Sequence, residues 1–315
     1  MSGPTYYATP RPVPGIPPAT RLAAGDYGIC IVTTAGEVYC WGEYPGRDSL
    51  GAAIPPTLVV MPEAVTEISV SDVHACVLTT SGSIYCWGEN NGAQFGDGTT
   101  ISSLTPVRAN SSVVFASVDA GHDHTCALDR VGAAYCWGNS ANGALGIIWW
   151  EGSDYGRFRP APVETTVRFT QLVAGDRFTC ARAFGNDLYC WGAYPSAGPE
   201  HETPVILDAS VLMWRGAFVR LSTVLDDHTC ASYRGTAVYC WGSGGSGELG
   251  SAATWAAGPQ RVPGIGATTR LSTGSDHSCA VTSRTEIYCW GRSYLGELGR
   301  ELPGSWTATP VSVVW

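Results

Sequence analysis

Twelve cysteines fall into six pairs, and the members of every pair are ten residues apart: Cys30 with Cys40, Cys76 with Cys86, Cys126 with Cys136, Cys180 with Cys190, Cys230 with Cys240, and Cys279 with Cys289. None is left over. The second cysteine of each pair sits in the same tetrapeptide, Tyr-Cys-Trp-Gly, from Tyr39–Gly42 through Tyr288–Gly291. A feature recurring six times points to six copies of one supersecondary unit, which constrains the fold before any other pattern does. First cysteines are separated by 46, 50, 54, 50 and 49 residues. A period of this length exceeds the common helical solenoids and suits a four-stranded propeller blade. The 36 residues after Cys279 and the 29 before Cys30 make one further period, as a chain circling back on itself requires. The expectation is an all-β, six-bladed β-propeller of four-stranded antiparallel blades, with residues 1–315 forming one domain.

Composition agrees with many short strands joined by tight turns. Only 14% of residues are charged, 44% are hydrophobic, and there are 39 Gly and 20 Pro. No stretch holds a 3.6-residue period for three turns. The net charge of −9 argues against a nucleic-acid partner, whose phosphates would be repelled. All 18 basic residues are Arg, which stays charged and suits bidentate contacts, although genomic base composition alone would also produce this. There is no apolar run of membrane-spanning length. The opening Met-Ser-Gly-Pro-Thr-Tyr-Tyr-Ala has neither a basic nor an apolar leader region, so no signal peptide is expected in this chain.

The third repeat shows the plan of one blade. Val113–Ala120 reads as a strand, Gly121–His124 as a turn, Thr125–Leu128 as the next strand, Asp129–Gly132 as a turn, and Ala133–Gly138 as the return. Asn142–Gly146 is a Gly-punctuated turn, and Pro160–Val163 is expected to open the next unit. A turn centred five residues past the first cysteine places Cys76 opposite Cys86 and Leu78 opposite Ile84. Directly opposed residues of an antiparallel pair have Cα atoms about 4.5–5.5 Å apart, within reach of a disulfide. One cross-strand disulfide per blade is therefore expected. Zinc sites favour cysteines two to four residues apart, and no such pair occurs. Buried reduced cysteines acting as small hydrophobes remain the alternative. In Tyr-Cys-Trp-Gly, alternation puts Tyr and Trp on one face and Cys on the other, so the repeated Trp reads as inter-blade packing. The following glycines, Gly42 through Gly291, would free the backbone to turn.

These residues resemble the regulator of chromosome condensation repeat family. The resemblance rests on Ala-Gly-x-x-His-Thr-Cys-Ala-Leu, Gly-x-x-Tyr-Cys-Trp-Gly, Asn-x-x-Gly-x-Leu-Gly and Pro-Val. It is fullest at Ala120–Leu128 and Tyr135–Gly146, clear at His74–Thr100, and recurs from Ala24 to Gly299. The resemblance implies a β-propeller, and the paired cysteines look like those of bacterial, often secreted or surface-associated, members. Departures are plain. The family's typical member has seven blades; Phe178 replaces the repeat His in the fourth repeat and Gly28 in the first; Ala193-Tyr194-Pro195-Ser196 replaces the Gly-x-Leu-Gly turn. The family includes a nucleotide-exchange factor and inhibitors of β-lactamases, and no residue match transfers either role here.

His74, His124, His228 and His277 stand two before the first cysteine, beside Asp72, Asp123, Asp226, Asp227 and Asp276, with Asp26 and Asp176 in the equivalent turns. Such a ring could bind a divalent metal. Sixfold repetition favours the structural alternative, in which each Asp caps its turn and each His ties one blade to the next. Function is expected where repeats differ. The largest difference is the insertion Ile147–Arg159, which carries Trp149, Trp150, Tyr155, Arg157 and Phe158, the residue types of protein-interface hot spots. Tyr194, His201, Trp214, Trp255, Tyr294 and Trp306 are among the other aromatic side chains outside the repeat pattern, and they extend such a surface if they share a face. No nucleophile elbow, phosphate loop or His-Glu-x-x-His is present.

The reading is a non-enzymatic, disulfide-braced binding propeller, without catalytic residues, metal or cofactor, that recognises a protein or a glycan through a loop-rich face. It does not insert into a membrane, and the cysteines place it outside the cell or on its surface. A self-assembling structural subunit is the alternative: Thr309–Val314 looks like the start of a seventh repeat, Arg11–Ile16 matches Arg261–Ile265, and one terminus is expected either to close the ring against the other or to pair with a neighbouring subunit. A polysaccharide hydrolase or lyase is the remaining possibility.

Overall fold

A computed structural model describes residues 13–25, 28–42, 55–139, 143–146, 156–192, 218–223, 228–293, 298–299 and 304–313. The chain is an all-β, six-bladed propeller. Blade 1 comprises β1 (Ala19–Ala24), β2 (Gly28–Thr33), β3 (Val38–Gly42) and β4 (Thr57–Val59). Blade 2 comprises β5 (Val65–Val70), β6 (His74–Thr79), β7 (Ile84–Gly88) and β8 (Ser103–Arg108), and blade 3 comprises β9 (Phe115–Ala120), β10 (His124–Asp129), β11 (Ala134–Asn139) and β12 (Gly156–Pro162). Three described strands belong to blade 4: β13 (Phe169–Ala174), β14 (Phe178–Ala183) and β15 (Leu188–Gly192). Blade 5 holds β16 (Phe218–Thr223), β17 (His228–Tyr233), β18 (Ala237–Ser243) and β19 (Trp255–Arg261), and blade 6 holds β20 (Thr268–Gly274), β21 (His277–Thr282), β22 (Ile287–Arg292) and β23 (Trp306–Ser312). Two compact units divide them: Gly15–Arg215 carries blades 1–4, and Met1–Pro14 with Gly216–Trp315 carries blades 5 and 6.

The cysteine pairs fall on the central hairpin of each blade in direct register, as in Cys76↔Cys86 beside Leu78↔Ile84. Cys30 is bonded to Cys40, Cys76 to Cys86 and Cys126 to Cys136. Cys180 is bonded to Cys190, Cys230 to Cys240 and Cys279 to Cys289. There is no free cysteine. The Cα atoms of the bonded pairs lie 4.0–4.2 Å apart. That is the short, non-hydrogen-bonded kind of antiparallel pair, the place in the ladder where opposed side chains approach most closely. Cys190 and Cys240 are wholly buried, and Cys289 nearly so, while Cys279 keeps partial exposure. The sulfurs therefore brace the hairpins.

Alternation then dictates how blades stack. With Cys on one face of the hairpin and Trp on the other, a disulfide meets the tryptophan of the next blade. Cys30 and Cys40 share a buried cluster with Trp87, Cys76 and Cys86 with Trp137, and Cys126 and Cys136 with Trp191. Phe115 and Phe169 fill the same junctions, each packed on the Tyr and Trp of its own blade (Phe115 on Tyr135 and Trp137, Phe169 on Tyr189 and Trp191). Burial of one such tryptophan contributes roughly 3 kcal/mol before entropy is counted.

Three details differ from the sequence expectation. Pro160–Pro162 does not open the next unit: it lies in β12, the outer strand of blade 3, paired to β11. In the same way Thr309-Pro310-Val311 belongs to β23 and pairs with β22, so it completes blade 6 rather than starting a seventh repeat. Each blade with four described strands is consecutive in sequence, and among the described residues no terminus pairs with the other. The glycine of Tyr-Cys-Trp-Gly is also not a turn residue. Gly138 sits opposite His124 at φ 108°. The register to the outer strand shifts between Cys136 and Gly138, as at a bulge. A Cβ there would come 2.5 Å from the Asp123 carbonyl oxygen, so only glycine fits.

Candidate functional site

Strands alternate in direction within a blade, so the turn after its first strand and the loop after its third lie at the same end. At this end of each blade lies the turn that carries its His and Asp residues. The repeat residues just inside it are engaged with one another. In blades 2 and 3, Thr125 Oγ1 donates to the Gln94 carbonyl at 2.8 Å, and Trp137 Nε1 donates to that same oxygen at 2.8 Å. With its proton so committed, the hydroxyl accepts from His74 Nε2 at 2.9 Å. The unit recurs one blade further on: Thr179 and Trp191 both donate to Ala144 O at 2.9 Å, and His124 Nε2 meets Thr179 Oγ1 at 3.0 Å. It recurs between blades 5 and 6, where Ser278 and Trp290 donate to Glu248 O at 3.0 and 2.8 Å and His228 Nε2 meets Ser278 Oγ at 3.0 Å.

The histidines therefore tie blade to blade. Burial holds them neutral, lowering His74 to about 3, His124 to about 4 and His228 to about 3. His277, at the same place in blade 6, is half-buried. Phe178, at the histidine position of blade 4, is fully buried instead. The signal that sequence reading missed was the Thr or Ser preceding the first cysteine at Thr125, Thr179, Thr229 and Ser278. Asp119 was missed as well. From β9 it accepts Ser69 Oγ of β5 at 2.7 Å and the Ala174 amide of β13 at 2.7 Å, tying three inner strands together. Burial raises its carboxyl to about 6.

Beyond these ties the end is polar. His122 Nδ1 bonds Asp72 at 3.0 Å, and its Nε2 lies 3.8 Å from Asp123. The Asp72 hydrogen bond raises His122 to about 9, so it is an imidazolium at neutral pH and a poor general base. Asp176 pairs with Arg177 at 3.0 Å, and Asp276 pairs with Arg292. Among the described residues, no group of three or more His, Cys, Asp and Glu side chains converges as metal ligands. Asp26, Asp226 and Asp227 lie outside the described residues.

Of the candidate partner-binding residues, Trp149, Trp150 and Tyr155 lie outside the described residues, as do Tyr194, His201, Trp214 and Tyr294. Arg157 and Phe158 are placed at the start of β12, where Arg157, Phe158 and Arg159 are exposed in succession. The strand is held there by the Gly98 amide, which donates to Phe158 O at 2.8 Å, with the Arg159 guanidinium against Gly98. Trp255 and Trp306 occupy the corresponding first positions of β19 and β23 in the other unit and are half-exposed. In blades 2 and 3 this end thus offers the Phe158 ring, guanidinium groups and paired charges, with the buried imidazoles withheld from chemistry; in blades 5 and 6 it offers the two indole rings.

A repeated disulfide hairpin, an outer strand and an inter-blade relay define a β-propeller built from one sequence repeat. A family profile described as "Regulator of chromosome condensation (RCC1) repeat" matches residues 81–128, 132–182 and 237–281, and a second of the same description matches 19–43, 65–94, 115–144 and 269–297. The chain belongs to the regulator of chromosome condensation repeat family. No curated protein matches it in sequence. Solved structures share the fold. Human WBSCR16 superposes with a TM-score of 0.81 at 20% identity, covering 98% of this chain and 85% of that one. Prp20p from Saccharomyces cerevisiae gives 0.76 at 19%, covering 93% and 76%. The CRINKLY WD40 ectodomain of the Arabidopsis thaliana receptor kinase ACR4 gives 0.55 at 21%, covering 94% and 82%.

Proposed function

We propose that this chain is a non-enzymatic binding propeller that recognises a protein or glycan partner through the loop-bearing end of its blades, outside the cell or on its surface. The observation that carries the reading is a division of labour. Polar residues that recur in the repeat, His74, His124, His228, Thr125, Thr179 and Ser278, are consumed in buried inter-blade bonds. Arg157 and Phe158, which the other blades do not repeat, are exposed at that end of blade 3. Structural demands repeat from blade to blade; recognition of one partner does not.

Relatives in fold lend context. Prp20p has been characterised for binding Gsp1p and histones, and yeast RCC1 has been seen bound to Kap60. The ACR4 propeller is an ectodomain, the setting that six disulfides also favour. The test is capture of ligands from the extracellular fraction of the source cells by the full chain. Replacing Arg157 and Phe158 together with Ala, or Trp149 and Trp150 together with Ala, is expected to remove the captured partner without lowering the melting temperature. Capture undiminished in both double variants sinks the reading. Turnover of any polysaccharide would replace it with the enzymatic alternative.

A further inference from the structure

We infer that Trp255 and Trp306 form a stacking platform for a neutral glycan at the loop-bearing end of blades 5 and 6; the inference rests on the proposed binding role of that end. The two rings occupy equivalent places. Trp255 pairs with Ser243 and Trp306 with Arg292, each one residue beyond the Gly of Tyr-Cys-Trp-Gly. Each is 51% exposed, and among the described residues from His228 onward they are the sole large hydrophobic side chains left exposed.

They flank a single glycine turn. The Gly244 amide donates to Thr254 O, next to Trp255, at 3.0 Å, and the Gly247 amide donates to Gly244 O at 3.1 Å. On the far side Gly247 lies under Trp306, where an added Cβ would come 2.8 Å from Cε3 of the ring. Glycine at 247 thus lets the ring lie close over the turn. Gly245, between the two, is exposed and has nothing above it within 4 Å. The turn itself is held from below by Glu248, whose carboxylate accepts the Ser246 amide at 2.7 Å.

The occupant follows from the surroundings. A protein hot spot sits in a well-packed pocket whose surrounding contacts exclude water. Here the rings are set among Gly245, Ser243, Ser246, Thr254 and Ser305, and among the described residues of this unit no other large apolar side chain is exposed. Among the described residues beside the rings, Arg292 is paired with Asp276, and Glu248 is buried with its carboxylate on the Ser246 amide. Exposed flat rings beside hydroxyl groups and backbone match a pyranose: its axial C–H face lies on the indole and its hydroxyls meet the polar rim. Among the described residues of this set, the cation an acidic saccharide would need, Arg292, is already paired with Asp276.

The experiment titrates the full chain with neutral gluco-, N-acetylgluco-, manno- and galacto-oligosaccharides, following tryptophan emission and heat. Binding by one class is expected, with a blue shift of emission. Trp255→Ala and Trp306→Ala should each weaken it by about tenfold or more, and Trp255→Phe should retain most of it. If Trp306→Ala lowers the melting temperature through its contact with Gly247, Trp306→Phe supplies the reading instead. Binding unchanged in both Ala variants, binding only of acidic oligosaccharides, or no oligosaccharide binding at all overturns the inference. So does loss of a captured protein in these variants without any sugar binding, which would assign the rings to a protein. The Arg157/Phe158 double variant separates the two levels. If it loses its captured partner while the tryptophan variants change nothing, the platform is wrong and the binding role stands. If neither set changes any capture, both fall.

Discussion

Thr125 has one hydroxyl proton and uses it on Gln94 O, the oxygen that Trp137 also reaches. Its lone pair receives His74 Nε2. Thr125→Val keeps the shape and removes the hydroxyl, leaving a buried imidazole N–H without a partner. That should cost about 2–3 kcal/mol in denaturant unfolding. Thr125→Ser should cost less than about 1 kcal/mol, because Ser278 already fills this place in blade 6. A loss in Thr125→Ser with none in Thr125→Val would mean that packing of the methyl, and not the relay, matters there. His124 belongs to the same class of tie. His124→Gln can still donate to Thr179 but cannot take up a proton, so it should flatten the acid limb of stability against pH while remaining folded at neutral pH.

In the blade, the hairpin is the element the sequence made most legible. Ten-residue spacing specified the turn, the register and the sulfur bridge, because an antiparallel pair with period-two alternation leaves few other solutions. The repeated tryptophan was legible as packing for the same reason. The relay was not, since a Thr before a Cys gives no hint of which carbonyl in another blade it will meet. The outer strand was assigned to the wrong unit because Pro-Val marks a boundary without saying which side it belongs to; pairing of β12 to β11 decides it. The platform residues Trp255 and Trp306 were visible as aromatics outside the repeat, and only their register revealed equivalent places. Replacing Cys126 and Cys136 together with Ala should cost up to about 3 kcal/mol, less if the hairpin alone keeps the loop short. Since Cys126 and Cys136 pack in one cluster with Trp191, near-UV circular dichroism should report the loosening of that junction. An unchanged unfolding midpoint would show the bridge to be redundant.

At the scale of the whole molecule, buried histidines dominate the response to acid. Unfolded histidines take up a proton near pH 6.5, whereas His74, His124 and His228 stay neutral in the fold down to about 3, 4 and 3. Between these values the unfolded chain binds more protons, so stability falls as pH falls, by ~1.4 kcal/mol per pH unit for each histidine fully charged in the unfolded chain. Asp119 works in the other direction. Its folded value is raised to about 6, so the cost of its buried carboxylate is relieved as pH drops through that value. Glu67 and Glu248, also raised by burial, add to that relief. His122, raised to about 9, gives stability that is fully present below pH 6.5 and is lost as pH rises through 9. Denaturant titrations across this range should therefore show a maximum near neutrality, with loss beginning just below pH 6.5. A stability that holds level from pH 6.5 to 4.5 would contradict the buried neutral histidines.

The central claim is a disulfide-braced binding propeller working in an oxidising setting. Intact mass of the protein from its native source, measured without reductant and with a thiol-alkylating reagent, tests it most directly. Six bridges, from the Cys30 pair to that of Cys279 with Cys289, predict a mass 12 hydrogens below that of the reduced chain and no alkylation. Twelve alkylated thiols would contradict the claim. The cysteines would then be small core residues, and the setting would be the interior of the cell.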